Sequence, residues 1–257
     1  MRLDKFLCDA GAGTRSEVKQ LIKKGAAAVN GEVEKAADRK IEEYDKVTLY
    51  GRALSYQKFR YYLLHKPSGV ITATEDKRER TVMELLQGID IRELFPVGRL
   101  DKDTEGLLLI TNDGELAHRL LSPRKHVDKT YFVRTKLPMS EEALEKLAEG
   151  VDIGEEKPTL PAMVKKLTDT EIELTIREGR FHQIKRMLSA VDNEVVYLKR
   201  ISMGTLRLPA DLQAGEFREL TEEEIRELRE GTCKPQNERK VRNAGEGKSV
   251  KEKNCRI

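Results

Sequence analysis

Apolar positions in the first fifty residues follow a helical spacing and then a strand spacing. Leu3, Phe6, Leu7 and Ala10 recur at i, i+3, i+4 and i+7, the pattern of one face of a short amphipathic helix. Gly11-Ala12-Gly13 ends that helix. Thr14 or Ser16 can cap a second helix that runs to about Lys24, where Gly25 stops it. Val29-Asn30-Gly31-Glu32-Val33 predicts a hairpin, since Asn-Gly supplies the two positive-φ residues of a tight turn. Lys46-Val47-Thr48-Leu49-Tyr50 predicts a further short strand.

A second patterned region begins after Ser55-Tyr56-Gln57-Lys58-Phe59-Arg60, which has the look of a linker. Strand spacing at residues 60–64 leads into the turn His65-Lys66-Pro67-Ser68-Gly69 and a further extended piece, Val70-Ile71-Thr72. Residues 81–86 predict a helix, and residues 97–100 and 106–111 predict strand segments around a polar interruption. Asn112-Asp113 can cap a helix through Leu121 that Ser122-Pro123 terminates. Strands are expected at 130–134 and 171–177, and helices at 139–150, capped by Ser140, and at 182–190, with a basic face. Strands and helices mix without regular βαβ alternation, which predicts an α+β fold with a largely antiparallel sheet. The expected boundaries are a first unit at 1–55, a linker at 56–60, a larger unit at 61–230 and a tail at 231–257.

Composition narrows the function. The 257 residues are 36% charged and 5% aromatic, with no Trp and a net charge of +3. The charge is unevenly placed. The tail holds eight Lys or Arg against three acids, so it carries +5 and leaves −2 for residues 1–230. Any nucleic acid must therefore be met by local patches of the body, while the polar, basic tail is expected to be disordered and either to add non-specific RNA affinity or to aid solubility. Leu107–Ile110 is an apolar run far short of the roughly 20 residues that span a bilayer. No membrane partner is expected, and Met1-Arg2-Leu3-Asp4-Lys5 lacks the apolar stretch of a secretory leader. Cys8, Cys233 and Cys255 have neither ligand spacing nor a disulfide pattern, so reduced thiols, a cytoplasmic location and no metal site are expected.

Two stretches carry candidate chemistry. In the second helix Arg15, Lys19 and Lys23 fall at i, i+4 and i+8, with Lys24 adjacent. Spacing alone leaves open a solvated charged face or a phosphate-contacting one. In the larger unit, the turn after Val97-Gly98 presents Arg99, Asp101, Lys102, Asp103 and Glu105 between apolar segments. A carboxylate in such a turn can be held rigidly toward a cleft, as a nucleophile requires, although an Asp-rich surface turn is the commoner case.

Resemblance separates these options. The helix, turn, basic helix and Val-Asn-Gly of residues 1–55 resemble an S4 RNA-binding domain. Gly98-Arg99-Leu100-Asp101, Thr104, Gly106-Leu107-Leu108, Thr111-Asn112-Asp113-Gly114, His118-Arg119-Leu120 and Ser122-Pro123-Arg124 resemble the signature of the RsuA-type pseudouridine synthases, a family acting on ribosomal RNA. Lys129-Thr130-Tyr131 and the run Glu178-Gly179-Arg180-Phe181-His182-Gln183-Ile184-Lys185-Arg186-Met187 match two further motifs of that family, in the same order. The resemblance spans roughly residues 1–230. It implies a small S4 domain followed by a synthase domain with a largely antiparallel mixed sheet. It also implies Asp101 as the catalytic aspartate, Tyr131 as the ring packing on the target base and Lys185 as the cation beside the carboxylate. Arg99 would enter the space left by the flipped nucleotide. Arg15, Lys19, Lys23, Lys24, Arg180, His182, Gln183 and Arg186 are the expected RNA contacts, with helix support an open alternative for Arg180, His182 and Gln183. The reaction gains no atoms or electrons, so no cofactor is expected. The motifs look closest to enzymes of 16S ribosomal RNA, so that RNA or an assembling small subunit is the expected partner. Sister enzymes of 23S RNA, or a non-catalytic S4-type assembly factor, are the alternatives, and a monomer is expected.

Overall fold

The computed structural model describes residues 1–42, 44–54, 59–122 and 125–233. Residues 56–58 of the linker expected at 56–60, Pro123-Arg124 at the end of an expected helix and the basic tail beyond 233 lie outside the described residues. The chain divides into two compact units, Met1–Phe59 and Arg60–Ile257.

In the first unit α1 (Leu3–Asp9) and α2 (Arg15–Lys23) precede four short strands, β1 (Ala27–Val29), β2 (Glu32–Val33), β3 (Val47–Leu49) and β4 (Arg52–Leu54). The strands pair antiparallel in the order β2-β1-β3-β4. Thr14, not Ser16, is the cap of α2. Its hydroxyl accepts from the Glu17 amide at 3.4 Å while the Glu17 carboxylate accepts from the Thr14 amide at 2.8 Å, so two otherwise unpaired helix-end amides are satisfied. Asn30 and Gly31 take φ of 53° and 90°, as the Asn-Gly hairpin requires. A second positive-φ pair, Tyr50-Gly51, turns β3 into β4; the sequence pattern stopped at Tyr50 and missed that strand. Leu3, Leu7, Val18, Ile22, Ala27, Val29 and Val47 form the unit's buried core.

The second unit contains β5 (Tyr61–Lys66), β6 (Phe95–Pro96), β7 (Glu105–Thr111), α3 (Gly114–Leu121), β8 (Lys129–Thr135), α4 (Glu141–Glu149), β9 (Met163–Lys166), β10 (Glu171–Ile176), α5 (Gln183–Ser189), β11 (Val195–Met203), β12 (Leu206–Arg207), β13 (Phe217–Glu219) and α6 (Glu222–Cys233). The sheet order is β13-β5-β7-β11-β8-β10-β9, with β6 beside β7 and β12 beside β11. Among the described residues, β7 and β11 are the one parallel pair in a sheet otherwise antiparallel. This is the α+β fold with a largely antiparallel mixed sheet that the pattern predicts. Leu64, Leu108, Val133, Leu174 and Leu198 on one sheet face pack with Ile184, Met187 and Leu188 of α5, which fixes that helix against the sheet.

Several local expectations are corrected. Residues 97–100 are loop rather than strand, because the pairing partner of β7 is the preceding Phe95–Pro96. The stretch 70–72 makes only an isolated bridge, Ile71 to Thr81, and residues 81–86 hold a single 3-10 turn, Val82–Leu85. The tail does not start at 231. Helix α6 continues to Cys233, nucleated by a reciprocal cap in which Thr221 and Glu224 exchange side-chain and amide hydrogen bonds at 2.9 and 3.2 Å. Leu228 of α6 is buried, and Arg229 donates to the Tyr61 hydroxyl at 2.6 Å.

Candidate active site

The site is built on the loop that joins β6 to β7. Its backbone is held at three places. Thr72 and Leu100 exchange hydrogen bonds, hydroxyl to carbonyl at 2.8 Å and amide to hydroxyl at 3.2 Å. The Gly69 amide donates to the Lys102 carbonyl at 2.8 Å, and the Thr104 amide closes a turn onto the Asp101 carbonyl at 3.1 Å. The third hold is Lys66, whose fully buried ammonium donates to the carbonyls of Pro67, Lys102 and Thr104 at 3.0, 3.3 and 2.8 Å. Burial pushes this ammonium down to about 8, although Asp103, Asp101 and Glu105 favour its charged form. The turn His65–Gly69 was visible in the pattern, but nothing in it marked Lys66 as the peg of the loop.

Where the loop enters β7, Gly106 adopts φ 109° and a Cβ there would lie 2.2 Å from the Arg200 carbonyl oxygen of β11. Only glycine allows the parallel strands to approach this closely.

Helix α5 supplies the cationic side. Lys185 Nζ lies 3.2 Å from Asp101 Oδ2 and 2.7 Å from Asp103 Oδ1. Burial disfavours its charge, but hydrogen bonds to Asp103 and Asp101 outweigh that and raise its pKa. The hydrogen bond from Lys185 in turn holds the Asp103 carboxyl below its ordinary value. His182 Nε2 stands 3.5 Å from Asp101 Oδ1. His182 has φ 48°, the left-handed region that is uncommon for a non-glycine residue, and it forms the N-terminal boundary of α5.

These groups face one open cleft. Arg99, Asp101, Thr104, Tyr131, His182 and Lys185 line it, with Ile176, Ile184 and Leu198 as its apolar wall. Tyr131 projects from β8, beside β11 in the sheet. The buried Thr104 hydroxyl on this wall has no hydrogen-bond partner among the described residues. The structure thus brings together Asp101, Tyr131, Lys185 and Arg99, which the sequence singled out. Asp103, which shares Lys185 with Asp101, was visible in the turn but was given no role.

Three of the expected RNA contacts have partners within the unit. Arg180 binds Glu178 at 3.0 Å and the carbonyls of Lys157 and Pro158 at 2.6 and 2.8 Å. Gln183 is buried; it donates to Glu178 at 2.8 Å and accepts from the Arg180 amide at 3.0 Å. Arg186 pairs with Glu155 at 2.5 Å and donates to the carbonyl of Phe181 at 3.1 Å. Arg180 and Arg186 tie the start of α5 to residues 155–158, and Gln183 ties it to Glu178. In the first unit Arg15, Lys19, Lys23 and Lys24 are all exposed, and Arg15 lies 3.7 Å from Asp4.

Residues 60–190 match the family described as RNA pseudouridylate synthase, and residues 1–47 match the S4 domain. A Bacillus subtilis (strain 168) protein described as the uncharacterized RNA pseudouridine synthase YtzG is 50% identical over 236 residues, covering 90% of this chain and 99% of that protein. Ribosomal small subunit pseudouridine synthase A of Escherichia coli (strain K12) is 43% identical over 228 residues, covering 88% and 98% respectively. Among solved structures, a crystal structure of a pseudouridylate synthase is similar at a TM-score of 0.64 and 38% identity, covering 89% of this chain and 99% of that one.

Proposed function

The chain belongs to the RNA pseudouridylate synthase family and carries an N-terminal S4 domain, and on that premise we propose that it isomerises a uridine of 16S ribosomal RNA with Asp101 as the catalytic carboxylate. The observation that carries this reading is the Asp101 carboxylate in a cleft it shares with Tyr131, flanked by Lys185 at 3.2 Å and His182 at 3.5 Å. The choice of RNA is supported by relatives described as ribosomal small subunit pseudouridine synthase A, from Vibrio cholerae and Escherichia coli, each 43% identical.

The reaction breaks the N1–C1′ bond, turns the uracil and rejoins it through C5. The C5 proton is lost and N1 gains one, so the composition of the RNA is unchanged. A base paired in folded RNA must first leave its stack, at a cost of about a few kcal/mol. Arg99, exposed at the cleft, is suited to occupy the gap left behind. The detached uracil must be kept from escaping while it turns. Tyr131 gives it a face to pack on, and Ile176 and Leu198 give it an apolar wall. Asp101 is the reacting carboxylate, and the Lys185 ion pair holds it at one angle toward the sugar and base. On the S4 unit, Lys19 and Lys23 of α2 and the adjoining Lys24 supply fixed charges for the phosphate backbone.

The test is a pseudouridine map of ribosomal RNA from cells with and without this protein, followed by complementation with Asp101→Asn. Loss of one 16S pseudouridine, restored by wild type and not by Asp101→Asn, is the expected result. A site lost from 23S RNA instead would move the substrate, and an unchanged map would remove the reading.

A further inference from the structure

Beside the cleft stands an aromatic ring that the proposed chemistry does not use. Phe181 is 72% exposed, a large apolar side chain left in water on a surface otherwise rich in charge. Lone exposed apolar residues are ordinary and by themselves mean nothing. This one is held in place. Its ring stacks on that of His182, centroids 3.8 Å apart and planes 22° from parallel, and its carbonyl accepts from Arg186 at 3.1 Å. The supporting His182 ring reaches Asp101 Oδ1 at 3.5 Å. The two rings and the carboxylate therefore form a continuous step leading out of the cleft.

We infer that Phe181, backed by His182, is a stacking shelf for the nucleobase that adjoins the target uridine; the inference rests on the proposed RNA reaction and adds a second recognition point to it. A uridine placed at Asp101 brings its neighbours along the strand to the rim of the cleft. Every base has a flat face that a fixed aromatic ring can meet, with little dependence on sequence. A phosphate is the poorer occupant here, because the adjacent Arg180 and Arg186 are already paired with Glu178 and Glu155. Holding the neighbour unstacked from the RNA and stacked on the protein would keep the target nucleotide everted.

The experiment uses the full chain and unmodified 16S ribosomal RNA transcript, with wild type, Phe181→Ala, Phe181→Leu and Phe181→Tyr compared for pseudouridine formation. A base–aromatic contact is worth roughly a factor of 5 to 150 in affinity. Phe181→Ala and Phe181→Leu are expected to lower kcat/KM by about tenfold, mainly through KM, while Phe181→Tyr stays near wild type. The alanine penalty should vanish on RNA whose base next to the modified uridine has been removed. Leucine as good as phenylalanine, a defect confined to kcat, or a penalty indifferent to the missing base would each overturn the shelf. If wild type itself made no pseudouridine in this RNA, the reaction would fall and the shelf with it. An active wild type matched by Phe181→Ala would remove the shelf alone.

Discussion

Lys185 and Asp101 meet at 3.2 Å across 84 residues of sequence, and the same ammonium binds Asp103 at 2.7 Å. One cation thus sets the positions of two carboxylates, only one of which the proposed reaction uses. Replacing Lys185 by Gln should leave Asp101 unanchored beside an unpaired Asp103. Removing a positioned charge of this kind costs about 100-fold or more in kcat, with KM little changed. Single-turnover rates on saturating RNA measure it, and a variant of unchanged rate would assign Lys185 to the fold alone.

Lys66 holds the same loop from beneath, through the carbonyls of Lys102 and Thr104. Lys66→Met removes the buried donor these carbonyls share and loosens the Asp101 turn. A displacement near 1 Å at a reacting group can cost about 100-fold, so kcat should fall by about tenfold to 100-fold while RNA affinity is retained. Equal kcat for the two proteins would show that the loop keeps its shape without the ammonium.

The same burial predicts the alkaline behaviour of the fold. Lys66 and Lys129 are both pushed down to about 8 by desolvation, against 10.5 in an unfolded chain. Between these values the unfolded chain binds more protons, so stability should rise with pH from about 8 to 10. Tyr61 and Tyr197 are pushed the opposite way, up to about 12 by burial. Their contribution is intact below pH 10 and is lost as pH climbs through 12. Denaturant midpoints across pH 7–11 should pass through a maximum near 10, and Lys66→Met should flatten the rising side.

Gly106→Ala places a methyl group 2.2 Å from the Arg200 carbonyl oxygen at a φ of 109°. Overpacking plus backbone strain should destabilise the second unit by about 3 kcal/mol or more. Gly114→Ala, with nothing within 4 Å of the added carbon, is the matched control and should change stability by about 1 kcal/mol at most. Thermal unfolding of the two variants side by side decides the point.

Lys19→Glu with Lys23→Glu reverses two exposed charges on α2. RNA affinity should drop and its dependence on salt should flatten, by about one to two units of log–log slope. Filter binding across a salt series measures both, and an unaltered slope would clear this face of phosphate contact.

Local signals were legible where backbone chemistry dictates structure. The Asn30-Gly31 turn, the Ser140 and Asp113 caps and the alternation of β8 and β10 were all readable, because each depends on residues within a few positions. Strand β11 was not. Val195–Met203 reads Val-Val-Tyr-Leu-Lys-Arg-Ile-Ser-Met, and its cations are accommodated by the fold: Arg200 is buried because its Nε donates to the Leu107 carbonyl of β7 at 2.8 Å. A long-range hydrogen bond leaves no periodic trace. The same holds within the site. Asp101, Tyr131 and Lys185 were found by their motifs, whereas the inward turning of Arg180, Gln183 and Arg186 depends on Glu155 and Glu178, which nothing local identifies as their partners.

The sheet order also fixes when the cleft can exist. Strands β7 and β8 follow one another along the chain, but β11, synthesised some sixty residues after β8, is inserted between them. A nascent chain released only as far as α5 would already possess the carboxylate, the tyrosine and the lysine, yet lack the strand that spaces them. The cleft therefore can form only after β11, which ends at Met203, has left the ribosome.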